Sequence, residues 1–132
     1  MVDTSKCPCG SSIHYNDCCK AFHQGEKIAE TAELLMRSRY SAYVKNNKDY
    51  LLETWHVSTR PDVNEFELDS NSEFRWLELE VIKTEAGTER DTEGFVYFQA
   101  TYRFQGKTGK MQEASKFVKE DGKWFYIDGA SE

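Results

Sequence analysis

The chain has 132 residues, of which 39% are hydrophobic and 14% aromatic, and its formal net charge is −6. A chain of this length can form one ordinary core with a small appendage, and its aromatic content excludes a disordered protein. The acidic balance disfavours binding to nucleic acid, because phosphate backbones attract basic surfaces. No segment approaches the roughly 20 apolar residues of a transmembrane span, and the first residues lack the apolar run of a signal peptide, so we expect a cytoplasmic location.

All four cysteines lie near the start of the sequence, at positions 7, 9, 18 and 19. Residues 1–27, here called the cysteine module, contain too few core-forming side chains to fold without help. In a reducing compartment, clustered cysteines are more often metal ligands than disulfides. We therefore predict that Cys7, Cys9, Cys18 and Cys19 bind one structural zinc ion per chain, with no open coordination position.

Other uses of these cysteines stay open at this point. Two disulfides are disfavoured because neighbouring residues such as Cys18 and Cys19 are hard to link. A redox-active pair is disfavoured because Cys-x-Cys is not the usual redox motif. An iron–sulfur cluster is a third alternative. His14 and His23 lie close by in sequence, and either of them could replace one cysteine as a ligand.

The module also carries a resemblance to a known motif. Its sequence reads Cys7-Pro8-Cys9-Gly10-Ser11 and then Cys18-Cys19, which resembles the SEC-C motif over roughly residues 6–23. That motif is a zinc-binding module first noted at the C-terminus of the SecA translocation ATPase, where it engages the chaperone SecB and lipid headgroups. Elsewhere it is a general accessory module, so the resemblance implies a protein partner without naming one.

Two helices are predicted after the module. Thr31 is expected to cap the first, whose residues at three- and four-residue spacings form one face: Leu35, Met36, Arg39, Tyr40, Tyr43 and Asn47. Asp49 is expected to cap a second, shorter helix over residues 50–55. Pro61 and the polar run 69–72 indicate an irregular connection, with a helical turn expected near residues 62–67.

The spacing of hydrophobic residues then changes to the two-residue alternation of strands. Strands are predicted over residues 75–85, 94–105, 110–120 and 123–128. Asp121-Gly122 is a strong two-residue hairpin turn, and Gly106–Gly109 is expected to form a four-residue loop. Helices followed by an antiparallel meander predict an α+β domain over residues 28–132, here called the α+β domain, with helices packed on one face of the sheet.

These turns fix a register. It pairs Phe117 with Tyr126 and with Phe98, Ser115 with Asp128, and Tyr102 with Glu113. One face is then rich in aromatic side chains and is expected to be buried: Phe98, Ala100, Tyr102, Phe104, Met111, Phe117, Trp124 and Tyr126. The same register places Glu113, Ser115 and Asp128 on that face, and a slip of one residue would move all of them to the other side.

Buried carboxylates are costly unless they are paired, so two interpretations of these polar residues stay open. In the structural interpretation, Glu113 is paired with Arg39 or Arg37 and with Tyr102. Ser115 and Asp128 then form hydrogen bonds that hold the ends of the strands or a hydroxyl group. In the functional one, helices and sheet enclose a pocket. Its predicted lining is Arg39, Tyr43, Tyr102, Glu113, Ser115 and Asp128. Candidates for acid–base chemistry there are Glu113, Asp128 and His56, although a histidine at a helix end is more simply explained by the helix dipole.

A second resemblance covers this domain. The sequences are Leu35-Met36-Arg37-Ser38-Arg39-Tyr40-Ser41-Ala42-Tyr43, Tyr50-Leu51-Leu52-Glu53-Thr54-Trp55-His56, Glu113-Ala114-Ser115-Lys116-Phe117 and Trp124-Phe125-Tyr126-Ile127-Asp128-Gly129. Together with the cysteine module they are similar to the YchJ family of small bacterial proteins. The resemblance implies a nuclear-transport-factor-2-like fold, a cystatin-like cone in which a curved antiparallel sheet wraps on helices. It supplies no established activity.

Three classes of function follow. The favoured one is a zinc-containing binding or adaptor protein, in which the zinc module docks a protein partner and the cone binds a ligand or protein. The alternative is a small-molecule enzyme of isomerase, dehydratase or hydrolase type that uses carboxylates in the pocket, an argument from fold analogy alone. Contact of the module with nucleic acid is disfavoured, since its charges sum to zero and the rest of the chain is acidic.

Overall fold

The computed structural model describes Cys7, Cys9 and residues 13–62 and 74–131. A 3₁₀ turn (Tyr15–Asp17) leads into three helices, α1 (Cys19–His23), α2 (Ala32–Val44) and α3 (Lys48–Glu53). Four strands follow, β1 (Phe74–Ala86), β2 (Glu93–Phe104), β3 (Lys107–Glu120) and β4 (Lys123–Ser131). The α+β class and the order of helices before strands are confirmed. The predicted helical turn near residues 62–67 lies outside the described residues, apart from Asp62.

The helix boundaries follow from side-chain caps. Thr31 caps α2 as predicted, its hydroxyl oxygen accepting a hydrogen bond of 3.1 Å from the backbone N–H of Leu34. The expectation that Asp49 caps the next helix is wrong, because the Asn47 side chain accepts the capping bond at 3.2 Å. Asn46 adopts a left-handed φ of 56°, which ends α2 and brings Asn47 into the capping position.

The sheet is antiparallel and curved, with its strands in the order β1-β2-β3-β4. The turn Asp121–Gly122 joins β3 to β4 as predicted, with φ values of 53° and 80°. A second two-residue turn, Gln105–Gly106, joins β2 to β3 with φ values of 51° and 80°. Both turns place two left-handed residues in succession, which is the geometry of a tight hairpin. The predicted four-residue loop Gly106–Gly109 is therefore wrong.

The shorter turn moves the β2–β3 register by four residues. Phe98 pairs with Glu113 instead of Phe117, and Tyr102 pairs with Gly109 instead of Glu113. Because four is an even number, every side chain stays on its predicted face of the sheet. The predicted β2–β3 pairings are wrong, whereas the prediction of a buried face is confirmed for the middle of that face.

The β3–β4 register is correct only near its turn. Phe117 pairs with Tyr126 as predicted, but an irregularity between Lys116 and Phe117 adds one residue to β4. Lys116 therefore pairs with Asp128, and Asp128 is exposed. The expectation that Asp128 lies on the buried face is wrong, because one extra residue in a strand reverses all later side chains.

The core lies between α2 and the concave side of the sheet. Its buried members come mainly from α2, β2 and the ends of β3 and β4: Ala29, Ala32, Leu35, Met36, Tyr40, Leu79, Val96, Phe98, Ala100, Phe117 and Trp124. Trp124 also donates a 3.1 Å hydrogen bond from its indole nitrogen to the Glu30 carbonyl, which fixes the chain just before α2. Phe104, predicted to be buried, is 37% exposed because it lies next to the Gln105–Gly106 turn.

The segment after α3 joins the sheet. The backbone N–H of Tyr126 donates to the Thr54 carbonyl, and the N–H of His56 donates to the Tyr126 carbonyl, both at 2.8 Å. Helix α3 therefore ends at Glu53, two residues earlier than predicted, and the chain continues as a short parallel neighbour of β4. Within the described ranges, no helix combines the length and the apolar character needed to cross a membrane.

Candidate metal centre and ligand cavity

The four cysteine sulfurs form one compact group. Their Sγ atoms all lie within 4.8 Å of one another, and those of Cys9 and Cys18 are 3.6 Å apart. Cys7, Cys9 and Cys19 are buried, whereas Cys18 is half-buried. All four are free thiols, so no disulfide joins any two of them. The structure thus brings together the four residues that the sequence predicts as ligands.

The local backbone explains this convergence. The N–H of Cys7 donates a 2.7 Å hydrogen bond to the carbonyl of Ile13, which fixes Cys7 beside the start of the 3₁₀ turn. That turn ends with a 3.0 Å bond from the N–H of Cys18 to the carbonyl of Tyr15. Cys19 then begins α1, so two sulfurs come from residues before the turn and two from the helix start.

The electrostatics of the group favour a bound cation. Hydrogen bonds from Cys19 and then Cys9 hold the pKa of Cys7 well below its ordinary value. Hydrogen bonds with Cys7 and then Cys9, followed by burial, raise the pKa of Cys19. Without a metal, negative charge on Cys7 therefore accompanies a protonated Cys19. A metal ion among them would stabilise several thiolates together, and the four sulfurs suit that role.

His23 lies beside this group with both ring nitrogens engaged elsewhere. Nε2 is 2.9 Å from the Ser38 carbonyl, and Nδ1 is 2.7 Å from the Tyr15 hydroxyl. A carbonyl can only accept, so Nε2 donates and Nδ1 accepts from the hydroxyl. Burial lowers the pKa of His23, in keeping with a neutral ring. His14 is exposed, and neither histidine belongs to the group of four.

The sulfur group is seated against one face of α2. Arg37 donates from Nη1 to the Cys9 carbonyl at 2.6 Å, and the Ser41 hydroxyl lies 3.6 Å from Cys7 Sγ. Lys45 continues this face one turn later, since positions 37, 41 and 45 are four residues apart. The described part of the cysteine module is therefore in direct contact with the α+β domain.

The opposite face of α2 borders a cavity. Its volume is about 250 Å³, and it lies between α2 and the concave side of the sheet. Rings and thioethers form most of its wall, with a few polar groups among them: Met36, Arg39, Tyr40, Tyr43, Trp76, Phe98, Ala100, Met111, Glu113, Ser115 and Tyr126. A mostly apolar cavity with few polar groups is the usual form of a small-molecule site.

Glu113 is the carboxylate of this cavity. The Ser115 hydroxyl donates to its Oε2 at 2.8 Å. The carboxyl group also lies directly over Gly129 on β4, in space that a Cβ at that position would occupy. Burial, and after it the charge of Glu113, raise the pKa of Tyr126 to about 12. Ser115 and the missing side chain at Gly129 therefore position the carboxylate among the tyrosines.

Arg39 is a buried cation at the edge of the same cavity, only 3% exposed. Its Nη1 donates to the Leu51 carbonyl and to the Thr54 hydroxyl, both at 2.7 Å. Its guanidinium carbon lies 4.6 Å from the centre of the Tyr126 ring and 5.3 Å from that of Trp55. Burial lowers the pKa of Arg39, while these oxygens and ring faces stabilise its charge.

The expected pairing of Glu113 with Arg39 or Arg37 is wrong. Arg39 bonds to α3 and the residue after it, and Arg37 forms a 2.9 Å ion pair with Glu33 besides its bond to Cys9. Among the described residues, neither arginine lies within ion-pair distance of Glu113. Tyr102 is not its partner either: the Tyr102 ring lies over Gly109.

Comparisons with known proteins place the chain in a family. Residues 31–129 match the model described as "YchJ, middle NTF2-like domain", which covers most of the sequence. The chain belongs to the YchJ family. Its relatives in this family include the UPF0225 protein of Chromobacterium violaceum, 46% identical over 123 residues that make up 93% of this chain and 90% of that protein. A UPF0225 protein of Photorhabdus laumondii is 47% identical over 131 residues, or 96% of this chain and 80% of that one.

Two solved structures resemble the YchJ-family chain over 97% of its length. A SEC-C motif containing protein from Rhodopseudomonas palustris has a TM-score of 0.82 at 33% identity, and 99% of it is covered. A SEC-C motif containing protein from Psychrobacter arcticus has a TM-score of 0.80 at 27% identity, and 84% of it is covered. Both resemblances that the sequence carries, SEC-C and YchJ, are thereby shown.

Of the residues predicted for the pocket, Arg39, Tyr43, Glu113 and Ser115 line the cavity, whereas Tyr102 and Asp128 do not. His56 also lies elsewhere. Its Nε2 contacts the Glu120 carboxylate and its Nδ1 is 2.7 Å from the Ser58 hydroxyl. The structure thus separates the three acid–base candidates, and only Glu113 remains at the cavity.

The predicted pocket left out Gly129, which makes room for the carboxylate, and seven residues that line the cavity: Met36, Tyr40, Trp76, Phe98, Ala100, Met111 and Tyr126. Trp76 could not be placed because β1 contains two irregularities, one of them just after this residue. Gly129 had a weak signal, a glycine inside a strand, which often marks a close approach by another group.

Proposed function

We propose that this YchJ-family protein is a zinc-containing binding protein. In this proposal one structural zinc ion holds the cysteine module on α2, and the cavity of the α+β domain binds a small molecule. The observation that carries the second part is the cavity of about 250 Å³, with a hydrogen-bonded carboxylate among aromatic walls. Four free thiols in one chain favour action in a reducing, cytoplasmic environment.

The sulfur geometry supports zinc. Zinc–thiolate bonds of about 2.3 Å in a tetrahedron place the sulfurs about 3.8 Å apart. The Cys9–Cys18 distance of 3.6 Å and the upper limit of 4.8 Å for the group fit this arrangement. Four thiolates fill the tetrahedron and leave no position for substrate, which supports a structural role.

Metal analysis of protein purified without chelator tests the zinc. We expect one zinc per chain in the wild type and in His14→Ala, a control in the same module, and much less than one in Cys9→Ser. Iron or no metal in the wild type would contradict this part of the proposal.

Binding in the cavity is tested with a neutral probe, benzyl alcohol. Methyl labelling of methionine gives three NMR signals, from Met1, Met36 and Met111, of which the last two line the cavity. We expect saturable shifts of both cavity signals in the wild type. We expect their loss in Ala100→Leu, because Ala100 is 1% exposed and lines the cavity. Equal shifts in both proteins would place binding elsewhere.

We also propose that a protein partner docks on the surface where the cysteine module meets the α+β domain. Ile28 and Leu34, which are 56% and 38% exposed, border a groove that also includes Cys18. Exposed apolar side chains beside the metal centre support a contact there. A pull-down from native lysate with wild type, Leu34→Glu and Cys9→Ser tests it, and a partner retained by all three would contradict it.

The enzyme alternative has weaker support. Acid–base catalysis usually needs two titratable groups within reach of one substrate. Glu113 and Tyr43 line the cavity, but Asp128 and His56 lie outside it. Burial raises the pKa of Tyr43, which keeps its hydroxyl group protonated and suited to hydrogen bonding. A single carboxylate beside hydroxyl groups is better suited to binding than to an acid–base pair.

A further inference from the structure

The charges of the cavity wall indicate what kind of ligand it accepts, an inference that rests on the proposed binding function. Among the residues that the structure describes, two charged side chains line the cavity, Arg39 and Glu113. The charge of Arg39 is already stabilised by two oxygen acceptors at 2.7 Å and by the faces of two rings. Arg39 is also only 3% exposed, so it offers little surface to a ligand.

The Glu113 carboxylate is less completely stabilised. Within the described part of the chain, its hydrogen-bond donor is Ser115, which engages Oε2, and no cation lies within ion-pair distance. Glu113 is half-buried, so water reaches it only in part. A carboxylate has room for about four hydrogen bonds, and a ligand in the cavity can supply the missing donors. Glu113 is therefore the more accessible of the two charged groups, and its carboxylate keeps acceptor capacity for a ligand.

The walls suit a cation with an apolar body. The rings of Tyr40, Tyr43, Trp76 and Tyr126 line the same cavity as Glu113, and ring faces attract organic cations. Met36 and Met111 add flexible apolar surface that adapts to different shapes. We propose that the cavity binds a small organic amine, whose ammonium group pairs with Glu113 and whose hydrocarbon body packs against the rings and the two methionines.

The volume limits the size of this amine. A cavity of about 150 Å³ lined by apolar side chains is known to accept benzene. The cavity here, about 250 Å³, has room for one ring with a short arm, or for an aliphatic chain of similar volume. A small anion is disfavoured, because it would lie beside Glu113 while Arg39 donates to α3 and the residue after it.

The test compares three probes of nearly equal size: benzylammonium, benzyl alcohol and benzoate. Affinities are measured from the Met36 and Met111 methyl signals. A hydrogen bond to a charged group typically adds about tenfold to hundredfold in affinity, so we expect benzylammonium to bind the wild type that much more tightly than benzyl alcohol. We expect Glu113→Gln, which keeps the shape of the side chain, to abolish this preference and to retain binding of benzyl alcohol.

A second variant removes the carboxylate from its place without removing its charge. In Gly129→Ala the new methyl group would occupy the position of the Glu113 carboxyl group. We expect the preference for benzylammonium to fall at least tenfold in this protein as well. This variant also keeps the proposal testable if Glu113→Gln does not fold.

The outcomes separate this inference from the proposed function. Equal affinity of the wild type for benzylammonium and benzyl alcohol, or tighter binding of benzoate, would overturn the amine and leave a binding cavity. A preference for benzylammonium that persists in Glu113→Gln would also overturn it. Failure of all three probes to shift the Met36 and Met111 signals would contradict the binding function itself.

Discussion

Loss of one cysteine ligand is expected to detach the cysteine module and to leave the α+β domain folded but less stable. Cys9→Ser removes a sulfur from the group of four, and without metal the module has too little core to stay ordered. The sequence places the boundary between the two units at residue 27, and this variant tests that division.

The size of the effect follows from the contacts that would be lost. Arg37 donates to the Cys9 carbonyl at 2.6 Å, a charge-assisted bond that contributes about 1.5–3 kcal/mol. His23 donates to the Ser38 carbonyl at 2.9 Å, which contributes about 1 kcal/mol. Phe22 packs partly buried against the core, and partial burial of such a side chain contributes about 1.5 kcal/mol. We therefore expect the free energy of unfolding of the α+β domain to fall by about 4–5.5 kcal/mol.

Urea unfolding followed by tryptophan fluorescence measures this free energy. All three tryptophans, Trp55, Trp76 and Trp124, belong to the α+β domain, so the signal reports on that unit alone. The control is His14→Ala, an exposed position in the same module, which should unfold like the wild type. Loss of a cooperative transition in Cys9→Ser would refute two separable units, and an unchanged midpoint would refute the docking contacts.

Three further predictions concern the folded core. Gly94→Ala should lower the free energy of unfolding in urea by about 3 kcal/mol, because its methyl group would meet the backbone of Gly87. Gly122→Ala, at an open turn with a φ of 80°, should lower it by about 1 kcal/mol. Equal costs in the two variants would contradict the close approach of Gly94 to Gly87. Arg39→Met should lower the free energy of unfolding by about 3–5 kcal/mol in the same assay, since it removes two charge-assisted hydrogen bonds. A loss below about 1 kcal/mol would show that the buried cation stabilises the fold little. Burial lowers the pKa of His23, so the unfolded chain binds more protons below about pH 6.5 and stability is lost as pH falls through that range. His23→Gln should flatten this dependence, and identical pH profiles would contradict a neutral, buried ring.

The sequence predicted the faces of the sheet better than its register. Alternation depends on the side chains themselves, so the assignment of Phe98, Ala100 and Phe117 to the buried face is confirmed by the structure. The register depends on turn chemistry, and Gln105–Gly106 forms a left-handed turn without the usual asparagine or aspartate. The error of four residues left the faces unchanged only because it was even.

An irregularity within a strand could not be predicted in the same way. The one between Lys116 and Phe117 exposes Asp128 and puts Gly129 beneath Glu113. No single residue type marks such an irregularity, so the sequence alone could not place it. This irregularity therefore removes Asp128, one of the three acid–base candidates, from the cavity.

The hydrogen-bond partners of the charged residues could also not be predicted from the sequence. A buried arginine and a buried carboxylate predict an ion pair, yet Arg39 bonds to the Leu51 carbonyl and the Thr54 hydroxyl. Backbone carbonyls at the end of a helix lack intrahelical partners, and they compete with carboxylates for donors. That competition depends on where α3 ends, which the sequence placed two residues too late.

Helix α2 has one consequence that reaches beyond either site. One of its faces carries Arg37 and Ser41 against the sulfurs, and the other carries Arg39 and Tyr43 at the cavity. A rigid shift of this helix would alter both sites together. By thermodynamic reciprocity, if metal binding changes the affinity for the ligand by some factor, ligand binding changes the affinity for the metal by the same factor. The supply of metal would thus change how tightly this small protein holds its ligand, and the supply of ligand would change how tightly it holds the metal.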